Sequence, residues 1–347
     1  MKNGKSQKGF SLLELLVAVA ILLIVAGTVI MGMMRVTWSQ STIVNRTQVH
    51  ASVRNATELM QQEIGQAGRV TASPGLTLPS AIAAGASGAV TINSTSGTAT
   101  DGLYVGEQLV IDPSSTNEET VTTTAVTPGS PGTVTATFVN AHAANTPVLV
   151  LGGFASGIVP PSTSSKLAFS GTGTSNTTLT TDKASDGFTL KLYGDLNGDG
   201  KMYYVAYKCA PNAAGTGTLY RYVSNDLSTT ATMGTGTLLL DNLSNNPPTS
   251  SPAPCFSYTT KDLAVTINGG QVTQTFVLNV AVTLTVQTQN KDVQTGQSQK
   301  ETKALLNIAP RNVFDAWQLA SSPSGYTRAQ PMPGIVLNTL SSATLTP

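Results

Sequence analysis

The stretch Asp195-Leu196-Asn197-Gly198-Asp199-Gly200 carries oxygen-bearing side chains at alternate positions and a glycine at the sixth, the first half of a calcium loop. In a tight loop such alternation turns the oxygens to one side, where a hard cation finds suitable donors. The twelfth position, where a glutamate would close an EF-hand, is Ala206 within a strand-like run. Two readings stay open. Asp195, Asn197 and Asp199 bind Ca²⁺ with a backbone carbonyl and a distant carboxylate, or the stretch is an Asp/Asn/Gly hairpin turn of the kind these residues favour. No other cofactor is indicated.

Other reactive groups are sparse. Cys209 and Cys255 form no CxxC, and His50 and His142 are the only histidines, so a metal–thiolate site is excluded. In an exported body the two cysteines suit an intrachain disulfide, worth about 2–4 kcal/mol; two separate buried thiols are the alternative. His142 has no neighbouring nucleophile or second ligand in sequence and reads as structural or exposed. There is no GxSxG, HExxH or P-loop, and no His/carboxylate spacing that suggests an enzyme. A formal net charge of +1 gives no electrostatic case for nucleic acid.

One further charge is out of place. Leu15 to Met34 is an uncharged run of twenty residues, about 30 Å as a helix and so one bilayer core. Glu14 adjoins it at a depth where a carboxylate costs about 2.5–3.5 kcal/mol. Lys2, Lys5 and Lys8 precede it with no acid, which places the N-terminus in the cytoplasm and everything after Arg35 outside. A cleaved secretory signal leaves the acid and the continuing apolar run unexplained, and a plain anchor leaves Glu14 unexplained.

The stretch Lys8-Gly9-Phe10-Ser11-Leu12-Leu13-Glu14-Leu15-Leu16 resembles the class III leader of type IV prepilins and type II secretion pseudopilins. The resemblance covers the first thirty or so residues. It implies that a prepilin peptidase cuts between Gly9 and Phe10 and N-methylates Phe10. It also implies that Glu14 neutralises the new ammonium of a neighbouring subunit, a pairing that makes two buried charges tolerable. The implied partners are other pilins and minor pilins, the peptidase, an inner-membrane assembly platform and, before assembly, membrane lipid. The implied location is a single-pass inner-membrane protein with a periplasmic body, later part of a surface pilus.

The elements that must carry these groups follow from periodicity. Apolar residues at Val36, Ile43, Val49, Val53, Ala56, Met60, Ile64 and Ala67 continue the helix beyond the membrane, with an Arg54–Glu58 pair on its surface and Gly65 and Gly68 at a fraying end. After Pro74 the chain turns to short β-runs. Residues 75–100 read as a flexible approach segment. Strands are expected at Leu103–Val105, Gln108–Ile111, Thr120–Val126, Thr133–Val139 and Val148–Leu151, a small inserted β module. Residues 155–185 read as a second linker.

Head strands are expected from Phe188 to Tyr193, Met202–Cys209, Leu219–Val223, Leu238–Leu240, Phe276–Val286 and Ala304–Ile308, with a hairpin signal at Asn268-Gly269-Gly270. Even positions from Phe276 to Val286 are all apolar, which predicts one apolar sheet face beneath the helix and another facing solvent or a partner. The predicted fold is α+β. Its expected segments are a leader at 1–9, a helix at 10–70, linker plus module at 71–154, a head at 155–313 and a Pro/Ser-rich tail at 314–347 that follows the surface or frays. The order of head features, from Asp195–Gly200 through Leu219-Tyr220-Arg221 to Arg311-Asn312, is similar to minor pilins of the PilW-like group, a pattern with no place for the module. The resemblance implies a pilus subunit at or near the tip that primes assembly. The alternatives are a secretion pseudopilin or a tip adhesin binding through the module.

Overall fold

The structure is a computed structural model describing residues 11–129, 131–161, 166–167, 177–225, 227, 232–248, 250–267, 270–292, 295–321, 329–339, 341 and 345. A single helix, α1 (Leu12–Gln66), opens the described chain and is about 83 Å long at 1.5 Å per residue. Ser11 starts it with a capping box: its hydroxyl accepts from the Leu13 amide at 3.2 Å, and the Ser11 amide donates to Glu14 Oε2 at 3.3 Å. No proline interrupts it. It ends at Gln66, and two residues on stands Gly68, whose φ of +80° admits no ordinary side chain without strain. Gly68 does not fray. Its amide donates to Tyr193 O, its carbonyl accepts from Phe154 N, and Gly157 passes so close that a Cβ there would sit 2.2 Å from the Gly68 Cα.

The module contributes β1 (Thr77–Leu78), β2 (Ser87–Ile92), β3 (Gln108–Ile111), β4 (Glu119–Thr122), β5 (Ala125–Thr127), β6 (Gly132–Thr137) and β7 (Thr146–Val150). They form a sheet in the order β1-β7-β3-β4 and another in the order β2-β6-β5, around their own core of Leu78, Ile92, Leu109, Val134 and Phe138. Residues 75–100 are therefore not a free approach segment: Leu76, Leu78 and Ile92 are buried in this core. Leu103–Val105 is a turn rather than a strand, and the run from Thr120 to Val126 breaks at Thr123 into two strands.

The short strands β8 (Gly153–Phe154), β9 (Lys166–Leu167) and β10 (Thr177–Thr178) lead to the head. The described parts of the expected second linker are largely packed, with Ile158, Val159, Leu167, Leu179 and Ala184 all buried. The head sheet comprises β11 (Thr189–Gly194), β12 (Tyr203–Ala210), β13 (Gly217–Val223), β14 (Thr237–Ser244), β15 (Phe256–Ile267), β16 (Gly270–Gln287) and β17 (Lys300–Ile308). Its order is β11-β12-β13-β14-β16-β15, with β17 on the opposite edge of β16 and every pairing antiparallel. β15 and β16 flank the expected hairpin, whose Asn268 and Gly269 lie outside the described residues.

One sheet face packs under α1. Val53, Ala56, Met60, Ile64 and Ala67 meet Leu190, Leu192, Val205, Tyr207, Leu219, Leu243 and Val280–Leu284 valines and leucine in the main core. The even-numbered apolar row of β16 does not hold one face. A register shift at Thr259/Thr260 opposite Asn279 and Val277 changes parity, so Val280, Val282, Leu284 and Val286 face α1 while Phe276 and Leu278 face another cluster. That cluster lies against α2 (Arg311–Ala320) through Val313 and Ala316.

The opposite face is covered, too. Tyr193, Tyr204, Ala206 and Tyr222 pack with Met332, Val336 and Leu345 from the C-terminal segment, which forms β18 (Ala329–Gln330), parallel to β8, and α3 (Gly334–Thr339). The described tail residues thus complete a second core instead of trailing over the surface. The result is α+β: one long helix and a mostly antiparallel β body in several sheets.

Candidate functional site

Along α1 two environments succeed one another. From Leu12 to Thr37 nearly every residue is exposed, including large apolar side chains such as Leu22 and Ile30. From Trp38 onward a docked stripe runs through Thr42, Asn45, Val49, Val53, Ala56, Met60, Ile64 and Ala67, the three- and four-residue spacing of one helix face. Val36 and Ile43, expected on this stripe, are 57% and 61% exposed and point elsewhere. Polar Thr42 and Asn45 occupy the docked face at that level, because the head presents its own polar loop there: Thr42 Oγ1 donates to Asp292 Oδ2 at 3.4 Å.

The helix is fixed to the sheet by a buried charge. Glu63, 4% exposed, accepts from Arg221 Nε at 3.2 Å, from Arg221 Nη2 and from the Tyr207 hydroxyl. Tyr207 and Arg221 are directly opposed across β12 and β13, so both reach the same face and one helix carboxylate. Burial, then the neighbouring Glu63 charge, pushes the Tyr207 hydroxyl up and keeps it a donor. Sequence reasoning missed Glu63. Its signal was an acid lying three residues after Met60 and one before Ile64, on the apolar stripe itself.

Weaker ties flank this lock. His50 Nδ1 lies 2.5 Å from Glu301 Oε1 on β17, while Arg54 and Glu58 pair at 2.6 Å on the exposed side, where such pairs contribute little. Cys209 and Cys255 are joined in a disulfide that clips β12 to the start of β15. His142 is buried with Nε2 2.6 Å from Glu119 Oε1, and the same carboxylate accepts from Val139 N and Asn140 N. Glu119 therefore clamps the turn that carries His142, a structural arrangement. Glu107 is also buried; desolvation pushes its carboxyl well above the usual range, against the Tyr104 amide it accepts at 3.2 Å.

The Asp195–Gly200 loop is closed by its own side-chain oxygens. Asp195 Oδ1 accepts from Gly198 N at 2.8 Å and Asp199 N at 3.1 Å, and Oδ2 faces Arg69 Nε at 3.7 Å. Asp199 accepts from Lys201 N and from the Tyr203 hydroxyl. Asp195 Oδ1 closes the turn, while Asp195 Oδ2 lies beside the Arg69 guanidinium. No group of three or more His, Cys, Asp or Glu able to hold a metal occurs among the described residues. The arrangement is that of an Asx-type hairpin turn docked on the end of α1.

At the start of the chain, Gly9 and Phe10 lie outside the described residues, and Glu14 stands in the first turn of α1. The family described as "Prokaryotic N-terminal methylation motif" matches residues 4–30. The match supports a type IV pilin-like protein. No curated protein and no solved structure matches the chain. A pilin-type leader implies processing by a prepilin peptidase and assembly with other pilins, and it marks a pilin-type structural subunit. With the apolar first half of α1, it fits a membrane-anchored, pilus-associated protein.

Proposed function

We propose that this chain is a minor pilin, an assembly subunit rather than a bulk fibre subunit. The observation that carries the reading is the division of α1: a bare apolar half under a prepilin-type motif, continuous with a half locked to a β head. Prepilin peptidase cuts between Gly9 and Phe10 and N-methylates Phe10. The bare half then leaves lipid for a bundle of like helices, where Glu14 of one subunit neutralises the Phe10 ammonium of the next. A charge isolated in that bundle is intolerable, and a paired one sets axial register. A head of this size, carrying an inserted module, suits a low-copy position at or near the tip, where it primes assembly with other minor pilins, as in the PilW-like group. The body is periplasmic before incorporation and surface-exposed afterwards.

The capping box gives Glu14 a second, local role, and the test must separate the two. Glutamine at this position also caps a helix but carries no charge. Glu14→Gln should therefore be cut normally and keep its helix, yet enter filaments at least about tenfold less well, the loss of about 1.4 kcal/mol or more in a charged pair. Quantitative immunoblotting of sheared pili against membranes reads this ratio. Incorporation at the wild-type level would remove the pairing mechanism.

A second reading rests on the module's separate hydrophobic core. An independently packed unit displayed at a tip is suited to adhesion, and binding of cells or glycans by the exported body would favour it.

A further inference from the structure

The docked stripe of α1 begins just above its bare apolar segment, and what meets it there is the loop formed by the described segments Thr288–Asp292 and Thr295–Gln299. Thr42 Oγ1 touches Asp292 Oδ2. One cleft between loop and helix is lined by Arg46, Val49, Thr288, Gln297 and Gln299, and a neighbouring one by Asn45, Gln48, Gln289 and Asn290. From Met34, where the uncharged run ends, to Thr42 is eight residues, about 12 Å along a helix. A headgroup layer occupies about 5–8 Å of that distance on each side of the bilayer. The loop therefore begins within a screening length, about 8 Å, of the outer headgroup edge.

The side chains at this level suit that neighbour. Arg35, Arg46 and Lys291 are exposed, and Trp38, at the level of the headgroups, is half-buried. Of the three acids near this level, Asp292 meets Thr42 and Gln299, Glu301 meets His50, and Asp241 at the edge of the second cleft is exposed, leaving the cations in excess. We propose that the segments Thr288–Asp292 and Thr295–Gln299, with Arg35 and Arg46 of α1, form a foot that rests on anionic lipid headgroups of the membrane α1 crosses. The foot holds the head at a fixed height before incorporation. The proposal rests on the membrane-anchored reading of α1, and its occupant is the lipid surface continuous with that span.

The test uses the full chain in vesicles of phosphatidylcholine, with or without phosphatidylglycerol, and single labelled cysteines. Asn290→Cys reports the foot, Val139→Cys an exposed module site, and Leu23→Cys the membrane span. Quenchers sit on lipid headgroups or acyl chains. The foot label should be quenched by headgroup quenchers about threefold more than the module label in anionic vesicles. The excess should vanish when salt rises from about 0.05 M to about 0.5 M, and Lys291→Glu in the Asn290→Cys background should reduce it. With Leu23 quenched from the acyl chains, equal quenching at Asn290 and Val139 overturns the foot. Foot quenching independent of anionic lipid and salt overturns the charge recognition. An unquenched Leu23 label overturns the membrane reading itself, and the foot with it.

Discussion

Leu22 and Met60 belong to one unbroken helix, yet Leu22 is 66% exposed and Met60 has no exposed surface at all. Both halves of α1 are apolar enough to seek burial; they differ in whether this chain provides it. From Val53 to Ala67 the head sheet meets the helix with Leu, Val and Tyr side chains and an Arg–Tyr pair for Glu63. From Leu12 to Thr37 the chain provides nothing among the described residues, and burial has to come from lipid or other helices. The contrast teaches that one element can be a finished core on one side of a single turn and an unfinished one on the other.

Breaking the lock is the most severe way to blur that difference. Glu63→Ala leaves Arg221 half-buried without its carboxylate and Tyr207 without its acceptor, and removal of one partner of such a pair costs about 3–5 kcal/mol. Urea denaturation of the full chain in detergent, followed by tyrosine fluorescence, should show an unfolding free energy lowered by that amount. A loss under about 1 kcal/mol would mean that packing alone holds the helix.

Next in size is a matched pair of truncations. Met60→Ala should cost about 2–5 kcal/mol of head stability through a cavity in the main core. Leu22→Ala should leave the same transition within about 0.5 kcal/mol, because no head residue touches it. If the two variants shifted the transition alike, the halves would not be energetically separate.

How much of this was legible in the sequence depends on the range of the contacts involved. The leader motif and the apolar span are local patterns: a family model matches the first over residues 4–30 and α1 carries the second, while the Ser11/Glu14 capping box went unread. Most head strands were legible as well, though β15 before the hairpin was not expected. The failures are non-local. The parity change in β16 depends on a bulge opposite Thr259, which the alternation from Phe276 to Val286 cannot reveal. Small and Pro-rich surroundings hid Leu78, Ile92, Met332 and Val336 as core residues, because composition was read where position decided. In the Asp195 loop the pattern of oxygens was visible, but Arg69, which directs one of them, arrives from the far end of α1. Glu63 was overlooked because its partners Tyr207 and Arg221 lie on strands far along the chain.

The smallest expected effect on stability is the most informative about where the boundary between the halves lies. Val49 is packed against the main core and Ile43 is 61% exposed, although the two stand close together on α1 and both looked like stripe residues. Serine at either position changes helix propensity little. Val49→Ser should therefore cost about 1–2 kcal/mol of head stability from lost burial. Ile43→Ser should change it by less than about 0.5 kcal/mol, as a surface substitution does. If Ile43 belongs instead to the face that neighbouring helices cover, Ile43→Ser should still lower filament incorporation while the denaturation midpoint stays put. Unchanged incorporation would place the boundary of the unfinished half below Ile43, and a shifted midpoint would place Ile43 on the head.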